Sequence, residues 1–127
     1  MKYIVTTEKS IEQAVKDLEE AVTRNKFGVL HIHDLKATMK NKGIDFPHEC
    51  RIFEVCNPQK ANAVLTNDMS LNMALPCRIS VWEENGQVKI GTLKPTEFLS
   101  VLSDSEELKL IAEEVENTIK TIIGEAK

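Results

Sequence analysis

Long apolar runs are missing from this chain. No stretch approaches the roughly 20 consecutive apolar residues that span a bilayer, so no membrane partner is expected. The opening MKYIVTTEKS holds no extended apolar region and no small-residue cleavage site. It reads as the start of an unprocessed cytoplasmic protein. Cysteine is scarce, with three in 127 residues. That is too few for a disulfide framework, and an odd count in a reducing compartment means free thiols, metal ligands or a redox pair with one spare. An excess of positive charge is missing too. Sixteen Lys and Arg against 20 Asp and Glu give a net charge of −4, whereas neutralising nucleic-acid phosphates needs a concentrated basic surface. Lys36, Lys40 and Lys42 form a small basic group that reads as a solvated helix face, so no nucleic-acid partner is expected. No CxxC, HExxH or nucleophile-elbow pattern occurs. The acids lie mostly on helix exteriors, and no carboxylate pair stands out for acid–base work. An enzyme is therefore the least supported of the function classes.

What is present is ordinary for a soluble globular chain, 42% hydrophobic and 28% charged, and fits one domain over residues 1–127 with a single core. Lys2 to Thr7 is rich in β-branched residues and predicts a strand. Ser10, with Gln13 three residues on, forms a capping box before a helix whose stripe is Ile11, Ala14, Val15, Leu18, Ala21 and Val22. Phe27 to His33 predicts a second strand, and Asp34 caps a short helix that Gly43 ends. Arg51 to Val55 predicts a third strand. Asn57 and Pro58 then supply an N-cap and a first helical residue. The segment MSLNMALP, Met69 to Pro76, is ambiguous between a helical turn and extended chain. Arg78 to Trp82 and Gln87 to Leu93 predict two strands joined at Asn85-Gly86, a two-residue type I′ hairpin. A short helix starts at Pro95. The last helix starts near Ser103 or Asp104, buries Leu108, Ile111, Ala112, Val115, Ile119 and Ile122, and ends at Gly124.

The order β-α-β-(α)-β-α-β-β-α predicts an α+β two-layer sandwich related to the ferredoxin-like fold, with a largely antiparallel sheet and helices on one face. A doubly wound parallel sheet is the alternative, weakened because no Gly-rich phosphate loop follows any strand.

Cys56 ends a strand just ahead of a helix N-terminus, where the dipole and unpaired N–H groups favour a thiolate. The plainer reading is a small apolar plug, since free Cys is among the most buried residue types. Cys77 shares the inward face with Ile79 and Val81 in the hairpin register. Met69, Met73 and Cys77 recur every four residues, and soft sulfur donors suit Cu(I), although spaced Met residues are commonly core filler. His31 and His33 alternate along a strand and point to one face. With Cys50 from the next strand they are donors suited to Zn²⁺ or copper, or simply polar residues on a solvated face. In a split βαβ arrangement Cys56 and Cys77 would lie at opposite edges of the sheet. They would share a site only if residues 69–76 run back along the helix, or across a dimer.

These motifs resemble the domain-of-unknown-function 302 family over nearly the whole chain. The match is most specific at Cys56-Asn57-Pro58 with Ala61, and at Leu75-Pro76-Cys77 followed by a strand, an Asn-Gly hairpin and Pro95. The pairing of Cys-Asn-Pro with Pro-Cys marks a subset of that family. The resemblance implies a compact α+β domain, a homodimer and no established reaction. It raises the standing of Cys56 and Cys77 as functional residues.

The sequence thus points to a domain that binds a soft metal or small ligand through thiols, or works as a thiol redox module. Cys56, Cys77, His31, His33 and Cys50 are the candidate metal donors, and Asn57, Arg78 and Trp82 the candidate ligand contacts. The alternative is a non-catalytic homodimeric module. Its interface would be the sheet face away from the helices, which carries Arg78, Ser80, Trp82 and Lys89 with Cys50, Ile52, Glu54 and Cys56.

Overall fold

The computed structural model describes residues 1–127. The strands are β1 (Lys2–Thr7), β2 (Gly28–Asp34), β3 (Cys50–Cys56), β4 (Cys77–Glu84) and β5 (Gln87–Leu93). The helices are α1 (Ile11–Arg24), α2 (Leu35–Asn41), α3 (Pro58–Asn67), α4 (Pro95–Leu102) and α5 (Glu106–Ala126), with a 3₁₀ segment at Met69–Ala74. Side-chain caps set several boundaries. The Ser10 hydroxyl accepts from Gln13 N, and the Asp34 carboxylate accepts from Ala37 N. Ser105, rather than Ser103 or Asp104, caps α5 by accepting from Leu108 N. Gly124 does not stop that helix, which continues to Ala126.

All strand pairs are antiparallel and the order is β1-β5-β4-β3-β2. The α+β two-layer arrangement expected from the element pattern is what forms. The hairpin forms as its turn residues dictate, with φ of 53° at Asn85 and 77° at Gly86, and Val81 opposite Ile90. The strand order differs from the split βαβ expectation. β3 and β4 are neighbours, with Val55 opposite Cys77. The physical reason lies in the connection. α3 runs out from the end of β3, and the 3₁₀ segment folds back against it through Val64 and Leu71. The chain therefore returns to the end of the sheet it left, and Cys77 starts β4 beside the place where Cys56 ends β3.

The main core lies between the sheet and two helices. Ile11, Leu18 and Val22 of α1 and Ile119, Ile122 and Ile123 of α5 pack on Phe53, Val55, Ile79, Val81, Val88 and Ile90. Burying each such side chain contributes roughly 1.5–3 kcal/mol. A smaller cluster of Val64, Leu71, Leu99, Leu108 and Ala112 joins α3, α4 and α5 beyond the end of the sheet. In β2 the register shifts between Val29, opposite Val55, and His31, opposite Glu54. Leu30 is the extra residue and is 62% exposed. This bulge lets Val29 and Ile32 both pack on the core, which places His31 and His33 together on the other face.

One acid is buried. Glu116 on α5 retains 9% of its surface. Its Oε1 accepts from Thr96 N at 3.2 Å and from Thr96 Oγ1 at 2.7 Å, and Lys120 Nζ lies 3.2 Å from Oε2. The N-cap residue of α4, Lys94, makes no side-chain cap bond. Glu116 supplies that cap from a different helix, which ties α4 to α5.

Candidate functional site

At the end of the sheet where β3 stops and β4 starts, an apolar cavity of about 210 Å³ opens between the sheet, α3, α4 and α5. Its walls include Phe27, Val55, Val64, Leu75, Phe98, Ile111 and Val115. Cys56 and Cys77 both line it. The only charged residue on its lining is Lys60, whose ammonium pairs with Glu114 across to α5. Asn57 sits between the cavity and the start of α3. Its side-chain oxygen accepts from Gln59 N at 3.0 Å and Lys60 N at 3.2 Å. That oxygen is therefore committed to the helix cap.

The two thiols feel each other. Burial first, and then the neighbouring Cys56 sulfur, push the Cys77 thiol up to about 11. Cys77 is therefore a protonated thiol at neutral pH. The expectation that these sulfurs lie at opposite sheet edges is overturned by the β3–β4 pairing, which sets the residues side by side in the fold. Cys50 is elsewhere. It begins β3 opposite Trp82, one strand length of about 20 Å from Cys56. Burial, and then the charge of Asp34, raises its thiol as well.

Beside the cavity runs a surface groove of about 270 Å³ lined by Met73, Leu75, Arg78, Thr92, Leu93 and neighbours. Leu75, Pro76, Cys77, Pro95 and Phe98 belong to both linings, so this wall separates groove from cavity. Met69 and Met73, which follow the same spacing as Cys77, are largely exposed.

The open face of the sheet carries the remaining candidates. The His31 and His33 rings meet edge to face with centroids 4.4 Å apart. His33 Nε2 lies 3.1 Å from Glu54 Oε1. β2 and β3 pair as the His31–His33–Cys50 set requires, yet His33 stands opposite Ile52, and Cys50 lies beyond it. No three His, Cys, Asp or Glu side chains converge in an arrangement that could hold a metal ion. Trp82 lies over Gly91. A Cβ placed at Gly91 would come within 3.1 Å of both Trp82 Cη2 and Ile4 Cγ1. The indole Nε1 donates to Glu84 Oε1 at 3.2 Å, which also accepts from Lys89. Arg78 stands opposite Glu54 in the β3–β4 register and is exposed.

Sequence reasoning found both thiols but not their surroundings. Ile111, Ala112 and Val115 read as part of a buried helix stripe, and nothing in a hydrophobic period distinguishes a wall from a filled core.

This geometry defines a class: an α+β sandwich whose sheet is bare on one face and whose adjacent central strands present two cysteines to an apolar cavity. The chain belongs to the family described as domain of unknown function DUF302, whose model matches residues 3–126. It is similar to the crystal structure of an uncharacterized conserved protein DUF302 from Bacillus stearothermophilus. The two share 32% identity over 99% of this chain and 98% of that one, with a TM-score of 0.93. No curated protein matches the sequence. No helix is long and apolar enough to cross a membrane.

Proposed function

We propose that this protein is a binding module for a small thiophilic ligand held by Cys56 and Cys77. The observation that carries the reading is that both thiols line one apolar cavity at the junction of paired strands. Ligand sites are concave and mainly apolar, with few polar groups that fix orientation. Two sulfurs suit a soft centre such as Cu(I), or another atom that bonds sulfur in preference to oxygen. Such a ligand must displace the Cys77 proton, so its affinity should rise with pH towards the value of about 11.

Phenylarsine oxide tests this, because it combines an apolar ring with an atom that takes two thiols. Two As–S bonds form, two S–H bonds break, and the arsenic oxygen leaves with both protons as water. Intact mass should show one phenylarsenic adduct on the reduced protein, retained in Cys50→Ser and lost in Cys56→Ser and in Cys77→Ser. An adduct that survives both single substitutions would remove the reading.

A second reading, a homodimer through the open sheet face, is favoured by Trp82 lying over Gly91 beside Ile4, which is 46% exposed. An apolar centre ringed by Arg78, Lys89, Glu54 and Glu84 has the composition of an interface. The same patch on two copies would meet about a two-fold axis. Sedimentation equilibrium should give a dimer for the wild type and a monomer for Trp82→Glu. A wild-type monomer would exclude it.

A further inference from the structure

We infer that the groove beside the thiol cavity binds a small amphipathic carboxylate, its apolar part against the Cys77–Phe98 wall and its carboxylate on Arg78. The inference rests on the reading of this region as a ligand site, but not on the thiol chemistry. Arg78 is the only charged residue on the groove lining. Its guanidinium makes no hydrogen bond and no ion pair with the protein. Glu54, its cross-strand partner, is turned to His33 instead. A guanidinium offers five donors in a planar fork that matches a carboxylate edge to edge.

The surroundings make that free cation unusual. Met73 is 82% exposed and Leu93 53% exposed beside it, so apolar surface and one positive charge face the same groove. The Thr92 hydroxyl donates to the Arg78 carbonyl oxygen at 2.7 Å. Its single proton is thereby spent, and Arg78 is left as the charged donor of the groove. One cation balances one negative charge. A dianionic phosphate would leave a charge uncompensated against apolar walls, which is costly. The protein as a whole carries a net charge of −4, so it offers an anion no general attraction, and the recognition must be local. Size narrows the class further. The cavity of about 210 Å³ and the groove of about 270 Å³ are each below the ≈ 300–1,000 Å³ of drug-sized sites. The occupant is then a short acyl or aryl acid, not a long-chain fatty acid.

The test uses 4-phenylbutyrate, 4-phenylbutanol and 4-phenylbutyl phosphate, titrated into the full chain. Amide shifts in ¹H–¹⁵N spectra are followed at Cys77, Arg78, Leu93 and Phe98. The acid should bind about tenfold tighter than the alcohol, the difference expected from one charge-assisted pair at a partly exposed site. Arg78→Gln should bring the acid to the affinity of the alcohol and leave the alcohol unchanged, while Arg78→Lys keeps part of the preference. Cys50→Ser protein, altered at the far end of β3, should keep the preference in full. Equal binding of acid and alcohol by the wild type would overturn the inference. So would a preference that survives Arg78→Gln, or tighter binding of the phosphate. An arsenical adduct without carboxylate preference defeats this inference alone. A preference that Arg78→Gln abolishes, with no adduct, supports it and defeats only the thiol reading.

Discussion

Replacing Glu116 by Ala should cost far more than its place on a helix surface would suggest. Three donors converge on that carboxylate: the Thr96 backbone N–H, the Thr96 hydroxyl and the Lys120 ammonium. A lost N-terminal cap costs about 0.5–2 kcal/mol, and a hydrogen bond to a charged acceptor contributes about 1.5–3 kcal/mol. The Lys120 side chain is about one-third exposed, so its pair adds at most about 1 kcal/mol. Water can reach part of the vacated site, so the expected loss is about 2–3 kcal/mol, a large share of a typical domain stability. Glu116→Gln keeps an oxygen for both Thr96 donors and loses only the charge, at a cost of about 1 kcal/mol. The pH dependence follows from the carboxyl's shift. Burial pushes its pKa up, but the Thr96 hydroxyl, the Thr96 N–H and Lys120 together outweigh burial and hold it below the ordinary value. A depressed folded-state pKa stabilises above the unfolded Glu value of about 4.3, and that stabilisation is lost as pH falls through the folded pKa. The gap between wild type and Glu116→Gln should therefore be full at pH 7 and close below about pH 4. Urea titrations of the three proteins at both pH values measure this, with unchanged slopes as the sign that only stability moved. An Ala variant within about 0.5 kcal/mol of wild type would refute the capping argument. A Gln gap that ignores pH would refute the electrostatic part.

Gly91→Ala should destabilise by about 1–3 kcal/mol and shift tryptophan emission. The new methyl would meet the Tyr3 carbonyl oxygen at 3.0 Å and the Trp82 ring at 3.1 Å, so wild-type stability with unchanged emission would show that the ring moves freely. Asn57→Ala should cost about 1 kcal/mol in denaturant titration through loss of the α3 cap, and a neutral result would place the cap elsewhere. Cys77 should resist iodoacetamide in the native protein at pH 8 and react faster as pH approaches about 11. Peptide mapping that finds it alkylated at pH 8 as fast as an ordinary thiol would count against its burial.

The parts of the fold that were legible are those fixed by neighbours in sequence. Asn85-Gly86 sets a turn that only positive-φ residues adopt readily, and that turn fixes which of Ile79, Val81, Val88 and Ile90 face inward. Ser10, Asp34 and Asn57 cap their helices as read. The β2 bulge was invisible because Leu30 carries none of the Gly or Pro markers of an irregular strand. The start of α5 was blurred because Ser103, Asp104 and Ser105 are all competent caps, and only tertiary packing selects one.

The strand order turned on eight residues. In Met69 to Pro76 the side chains of Met69 and Met73 are exposed while Leu71 is buried, so the segment has neither a strand's nor a helix's period. Whether it crosses the sheet or returns along α3 decides whether β4 joins the far edge or pairs with β3. The same decision governs the site. A crossing would strand Cys56 and Cys77 at opposite edges, whereas the return through Val64 and Leu71 sets Val55 opposite Cys77. It also leaves the space beneath α3 and α4 that becomes the cavity. Fold and candidate site therefore both depend on the packing of this segment against α3. Weakening it with Leu71→Ala, expected to cost about 2–5 kcal/mol, should also enlarge access to Cys77, which iodoacetamide labelling at pH 8 would register. If labelling stays at the wild-type rate while stability falls, Leu71 holds the 3₁₀ segment without guarding the thiol, and the cavity must be sealed from the side of Phe98.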